Sequence, residues 1–222
     1  MANIDKYQKG EPRGPQEAPP GVIISSDTHR ANRIPPGQTR TRKWPVLQYG
    51  RAPVVRSEAW ELEVCGVVGR PYRRDWDAFR AWRRVQVFSD FHCVTRWSRL
   101  DNVWEGVSTR EILDRAGVQS SARFVILHGY DDGWTTNLPL DDFLSADALI
   151  ADTHDGEHLS ADHGGPVRAI VPLLYAWKSA KWLKGIELVA EDQPGLWERV
   201  GYHNHGDPWV QNDRHPDGER FQ

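Results

Sequence analysis

The sequence predicts an α+β fold, with mixed β-sheets and short helices, and three observations carry that expectation. Short apolar runs bounded by Gly, Pro or Asp outnumber the stretches with helical spacing. No window approaches the roughly 20 consecutive apolar residues of a membrane span. With 222 residues, 39% hydrophobic and 27% charged, the chain has the balance of a soluble globular protein, and one domain is the default reading.

Residues 1–24 are rich in Pro, Gly and charge and predict a disordered tail ahead of a single domain over 25–222. This tail has no apolar stretch for a signal-peptide core and no twin arginine before one, so the expected location is the cytoplasm. Ser25 to Gln38, with Pro35-Pro36-Gly37, reads as an ordered arm at best. Trp60, Leu62 and Val64 alternate, and Val67-Val68 between Gly66 and Gly69 suggest a strand that kinks and turns before Pro71. From Asp75 to Arg84, Trp76, Phe79 and Trp82 recur at helical spacing, with Asp75 placed as the cap. Val85, Val87 and Phe88 then form a strand leading to Cys93, which is expected on the following loop.

Ser108-Thr109-Arg110-Glu111 ahead of Ile112 and Leu113 fits a capped short helix ended by Gly117. Phe124–Leu127 reads as a strand entering the turn-rich run from His128 to Gly133. Asp141-Asp142 starts a short helix, Ala148–Ala151 is a strand, and Asp155-Gly156 is a hairpin signal. Val167 to Leu174, interrupted by Pro172, reads as an edge or loop-adjacent strand, and Ile186–Val189 as a strand near the end of the domain. The run Tyr202 to Trp209 is polar and reads as a surface flap.

Charge and cysteine usage narrow the function classes. A net charge of -3 gives no global basic field for nucleic-acid binding. Several of the eleven tryptophans stand beside cations, as in Lys43-Trp44, Arg96-Trp97 and Lys181-Trp182. Such pairs either stack bases or fill a core while the cation reaches water. Cys65 and Cys93 make neither a disulfide framework nor a Cys-x-x-Cys pair, which fits a reducing compartment.

Two clusters could carry chemistry. His154, His158, His163, His203 and His205, with nearby aspartates, invite a zinc hydrolase reading. His154 and His158, however, flank the Asp155-Gly156 turn, so their spacing does not bring them together. The stretch from His163 combines Arg168, Lys178, Ser179 and Lys181, a set suited to a phosphate or oxyanion, or equally to a solvated basic face. No Walker-type or Gly-x-Gly-x-x-Gly motif accounts for it. A lone cysteine such as Cys93 is by default a small buried hydrophobe.

The residues Asp155-Gly156-Glu157, Asp162-His163-Gly164, Pro166-Val167-Arg168, Pro172 and Lys181-Trp182-Leu183 resemble the molybdopterin-binding domain of the sulfite oxidase family. The Trp60-x-Leu62-x-Val64-x-Gly66 opening, the cysteine segment and Gly129 to Pro139 follow in the same order. In its short form, with Lys43 to Leu47 and Gly201-Tyr202-His203, the chain is most similar to small bacterial members and to the catalytic subunit of periplasmic methionine-sulfoxide reductase. The resemblance implies that fold and a molybdopterin cofactor whose molybdenum is bound by Cys93 as thiolate. It further implies that His163 and Arg168 bind the pterin and its phosphate, Ser179 and Lys181 close the phosphate pocket with Lys178 a weaker member, and His128 and Asp131 touch the pterin.

The implied reaction is oxygen-atom transfer to or from a small oxyanion or sulfoxide, with a separate electron-transfer protein and no nucleic acid or membrane partner. The arginines of sulfite-oxidising members are not reproduced: Gln48-Tyr49-Gly50 stands where an arginine-asparagine-histidine run would be, and only Arg96 follows the cysteine closely. A module of the same fold without cofactor, holding an anion or a partner, is the alternative from another class.

Overall fold

The structure is a computed structural model that describes residues 14–131 and 133–210. The first thirteen residues of the expected tail lie outside the described residues. In the remainder of that stretch Ile23–Ile24 (β1) run parallel to Val87 and Phe88. The arm continues through Thr39–Arg40 (β2), which pair in parallel with Trp97 and Ser98.

Glu61–Gly66 (β3) is the predicted alternating strand, burying Leu62 and Val64. It pairs antiparallel with Tyr72–Asp75 (β4), whose Tyr-Arg-Arg-Asp sequence has no apolar run to announce it. Asp75 then caps Trp76–Arg80 (α1), its carboxylate accepting from Ala78 N at 2.9 Å. The helix is one turn shorter than its spacing predicts, yet Trp82 still packs beyond its end against Phe79.

Val85–Cys93 (β5) and Trp97–Ser108 (β6) form a long antiparallel hairpin. The helix Thr109–Ala116 (α2) ends, as predicted, at Gly117 with φ 66°. Phe124–Gly129 (β7) and Thr135–Pro139 (β8) form a second hairpin, followed by the single turn Leu140–Phe143 (α3). Leu149–His154 (β9) turns through Asp155 (φ 50°) and Gly156 (φ 85°) into Glu157–His158 (β10), the tight turn that Asp-Gly predicts. Arg168–Ile170 (β11), Leu183–Val189 (β12) and Leu196–Arg199 (α4) complete the described elements.

The strands sort into two sheets. One runs β1-β5-β6-β9-β10, with β11 on β9 and β2 on β6; the other runs β4-β3-β12-β7-β8. Few and short helices beside two mixed sheets make this α+β. Trp60, Leu62, Val64, Phe79, Ile112, Leu127, Ile150 and Ile186 belong to the main core. A second, aromatic cluster of Val87, Phe91, Trp104, Leu149 and Ile170 takes in Trp44 and Trp97, and it is this cluster that floors the site described next. Among the described residues no helix is long and apolar enough to cross a membrane.

Candidate active site

Cys93 is the last residue of β5, paired with Trp97 across a tight turn in which Arg96 N donates to Cys93 O at 2.9 Å. It therefore ends a strand, where the sequence suggested a loop. Strand alternation sends Phe91 and Cys93 to one face of the hairpin, into a cavity of about 250 Å³. Asp90 and His92 point the other way, under the N-terminal arm.

That arm is held from beneath. Arg33 bonds Asp90 at 2.6 Å and Asp101 at 2.7 Å, and Gln38 Oε1 accepts from Ser98 Oγ at 2.6 Å, which in turn meets His92 Nδ1 at 2.8 Å. After β2 the chain crosses to the cavity side. Trp44 stacks on His163 at 3.8 Å and sits edge-on to Phe91 and Trp104. Pro45, Leu47, Gln48 and Tyr49 then form one wall of the cavity.

The opposite wall is the stretch from His163 to Trp182. Gly164 has φ 98°, and a Cβ there would stand 2.8 Å from Lys181 Cβ, so the His163 turn lies against Lys181 only because this residue is glycine. Arg168 and Ser179 line the cavity with Lys181. Arg168 donates to three backbone carbonyls, of Ala169, His163 and Ser179, and its guanidinium stands 5.3 Å from the Phe91 ring centroid. Among the described residues no carboxylate pairs with it, and burial alone pulls its pKa down to about 9, so it stays charged at neutral pH. Lys181 donates to Leu47 O and Asp162 O. Burial, then the neighbouring Arg168, pulls the Lys181 ammonium down to about 8.

Buried positive charge of this kind is costly unless an anion compensates it. The cavity thus offers two cations at one wall and a thiol at another. Burial pushes the Cys93 thiol above its ordinary pKa, against the smaller opposing effect of Thr95, whose hydroxyl donates to Sγ at 3.1 Å. The free protein keeps Cys93 as a thiol, and a soft metal ion would displace the proton.

The other residues singled out in the sequence fall in different places. Asp131 lines the cavity; a Cβ on Gly129 would come within 2.0 Å of its carboxylate, so the loop closes there only around glycine. His163 does not line the cavity but backs it, its Nε2 at 3.2 Å from Trp44 O. Burial lowers its pKa and keeps it neutral. His128 lies elsewhere, on β7, where Nε2 meets Glu187 at 2.9 Å.

Lys178 is a correction. Its ammonium is fully buried and turned away from the cavity, 2.7 Å from Glu198 Oε1 and bonded to the carbonyls of Asn137 and Asn204. Sequence adjacency to Ser179 suggested an anion clamp, but the tight turn Ala176–Lys178 points the side chain the other way. Arg96, the other candidate cation, is exposed on the hairpin turn and does not line the cavity.

The run Tyr202 to Trp209 is not a loose surface flap. Tyr202 lines the cavity with Trp197 and lies 5.0 Å edge-on to Trp177, while Tyr49 meets Trp197 at 5.9 Å across the arm. The aromatic residues of the run carried the available signal, which its polar neighbours masked. Of the two readings of the tryptophans, Trp60, Trp104 and Trp182 fill cores, while Trp44, Trp97, Trp134, Trp177 and Trp197 join Trp182 in facing the cavity.

His154 is buried beside Trp44 and Trp104, with Nε2 at 3.0 Å from both Arg99 and Asn102, whereas His158 is exposed. Among the described residues no three His, Cys, Asp or Glu side chains converge on one point. The donors present suit a metal that brings most of its own ligands and takes one sulfur from the chain.

Residues 49–197 match the model of the oxidoreductase molybdopterin binding domain. The chain is 50% identical over 186 residues to an uncharacterized oxidoreductase of Bacillus subtilis, covering 83% of this chain and 93% of that protein. It is 24% identical over 169 residues to the catalytic subunit of a protein-methionine-sulfoxide reductase of Pseudomonas syringae, covering 68% of this chain and 50% of that one. The sulfane dehydrogenase SoxCD of Paracoccus pantotrophus shares the fold with a TM-score of 0.59 and 18% identity, over 63% of this chain and 40% of that one.

Proposed function

The chain belongs to the oxidoreductase molybdopterin binding domain family, and from that membership we propose that it carries out oxygen-atom transfer on a small uncharged sulfoxide or thioether. Molybdenum held by the dithiolene sulfurs of molybdopterin supplies two-electron oxygen-atom transfer when bound. Cys93 supplies the protein thiolate. Arg168, Ser179 and Lys181 hold the phosphate of the pterin, with Asp131 beside them and His163 backing Trp44 against the same wall.

The observation that carries the reading is the pair of cations, buried Arg168 and half-buried Lys181, which form no carboxylate ion pair among the described residues and line the same cavity as the Cys93 thiol. A phosphate is the group that compensates them. This assignment also bears on the substrate. Once both cations serve the cofactor, the lining that remains is mostly Trp, Tyr, Phe, Leu, Pro and Val. An oxyanion placed there would lose its hydration without a counter-charge, whereas a sulfoxide presents one polar oxygen on an apolar body. The aromatic wall orients such a molecule and excludes water around Cys93.

The test is Cys93→Ser. Purified variant protein is expected to lose sulfoxide reduction with a small-molecule donor and to show an altered visible absorption spectrum. Full activity with an unchanged spectrum would overturn the assignment. Metal analysis of the parent protein gives a second check: one molybdenum per chain supports the enzyme, and none favours the cofactor-less module.

A further inference from the structure

Between Asp27 and Glu58 the chain contains seven arginines and lysines and not one aspartate or glutamate, in a protein whose net charge is -3. Arg33 is spent on Asp90 and Asp101. Arg30 pairs with Asp27; the other five fall on residues 40–56, the stretch whose Trp44, Pro45, Leu47, Gln48 and Tyr49 wall the cavity, and Arg42, Lys43, Arg51 and Arg56 are exposed. Arg96 joins them from the hairpin turn, where its carbonyl accepts from Thr39 N.

The same stretch concentrates exposed apolar side chains. Val46, Leu47, Tyr49 and Val54 are 44%, 48%, 61% and 94% exposed, four of the six large hydrophobic residues exposed among those described. Leu47 and Tyr49 also line the cavity. On the side of this stretch the cavity is therefore flanked by an apolar collar, with exposed cations on both sides of it in the chain.

We propose that this collar is the docking surface for a small acidic one-electron carrier protein, which presents its redox group to the mouth of the cavity. The inference rests on the oxidoreductase reading above and names the partner of that site. An apolar centre inside a charged rim is the composition of a transient protein interface, and the rim's sign selects an acidic partner and speeds its approach. A second copy of this chain is excluded as occupant, because a two-fold contact would set the positive rim against itself. Position argues against a membrane or a nucleic acid, since neither has a reason to cover the opening that leads to Cys93.

The electrons balance in two steps. Reduction of a sulfoxide to a thioether and water takes two electrons and two protons; two reduced carriers are oxidised one after the other at the collar, and the protons come from solvent.

The experiment compares the parent with Lys43→Glu/Arg51→Glu/Arg56→Glu, three exposed residues outside the cavity lining. Turnover with sulfoxide is measured with two electron donors, reduced methyl viologen and a reduced acidic [2Fe-2S] ferredoxin. The ferredoxin rate constant is expected to fall by about tenfold or more at low ionic strength, with viologen turnover and molybdenum content unchanged. The neutral triple variant with Gln at the same positions is expected to fall between the two. Equal ferredoxin rates in all three proteins would overturn the docking surface while leaving the enzyme intact. Stronger binding of the parent to anionic phospholipid vesicles or to DNA than to ferredoxin would overturn it in favour of those partners. Absence of molybdenum and of viologen turnover would instead remove the oxidoreductase reading, and the docking proposal with it.

Discussion

Lys178 and Arg168 are both buried cations that bond to backbone carbonyls, both lie in the stretch between His163 and Trp182, and they differ in partner and in the side to which they point. Lys178 has a carboxylate at 2.7 Å, Glu198, which also accepts from Thr136 and Trp177. Among the described residues Arg168 has none, and it faces the cavity. A buried ion pair with its hydrogen bonds complete is part of the scaffold; a buried cation without one is built around an anion from outside. Residue type and sequence position put both in the same class. Only the partner and the direction of the side chain separate them.

The comparison breaks if the two positions respond alike to loss of charge. Arg168→Met is expected to lower molybdenum content by about tenfold or more, because each charge-assisted hydrogen bond to a phosphate contributes about 1.5–3 kcal/mol. The stability of the cofactor-free protein should move by only about 1 kcal/mol, as relief from burying a charge offsets the carbonyls left unpaired. Metal analysis and denaturant unfolding of the cofactor-free protein read the two effects. Substoichiometric binding is the key result; an unchanged molybdenum content would place the phosphate elsewhere.

Lys178→Met should do the reverse. It leaves Glu198 as a lone buried carboxylate and is expected to destabilise the fold by about 3–5 kcal/mol, with molybdenum per folded chain unchanged. Adding Glu198→Gln should restore about half of that loss, since the amide keeps a group for Thr136 while carrying no charge. Urea unfolding of the single and double variants measures the coupling, and a single variant that is stable but poor in molybdenum would return Lys178 to the site.

How much of this could be read in the sequence depends on where each signal lies. The alternating strand from Trp60, the Asp75 cap, the Gly117 stop and the Asp155-Gly156 turn were legible because each is fixed by residues a few positions apart. The strand Tyr72–Asp75 was not, since an edge strand with an exposed face needs no apolar run. Nor was Thr135–Pro139, where buried Thr136 and Asn137 are satisfied by Glu198, Asp192 and Asn204, some sixty residues away.

The site divides the same way. Cys93, Arg168 and Lys181 were visible through their spacing relative to a family pattern. The role of Lys178 depends on Glu198, which no local pattern connects to it. The part of the aromatic wall that Tyr202 supplies was hidden in a run that reads as polar. The positive stretch between Asp27 and Glu58 is plain in the sequence but cancels in the net charge, and it acquires meaning only when part of the arm is found to wall the cavity.

A third buried group shows the remaining way in which burial next to positive charge can be resolved. His154 lies against Trp44 and Trp104, touches Arg99 and has Arg168 and His163 nearby; Asp155 stands 3.6 Å away but is engaged by Arg99. Burial, reinforced by Arg99 and Arg168, holds its pKa well below the ordinary value of 6.5, so it is neutral in the folded protein. Unlike a guanidinium, an imidazole can give up its proton. Because the unfolded chain binds a proton below about 6.5 and the folded one does not, the stability His154 contributes is present above that pH and lost as the pH falls through it. The slope should be smaller than the effects at Arg168 and Lys178, and it should shrink in His154→Asn, which keeps a hydrogen-bonding group for Arg99 without a titrating ring. Urea midpoints at pH 7.5 and 5.5 for parent and variant measure it. An identical pH dependence in both would mean that His154 is already charged in the fold, and a charged His154 beside Arg99 and Arg168 would extend the anion-binding wall beneath Trp44.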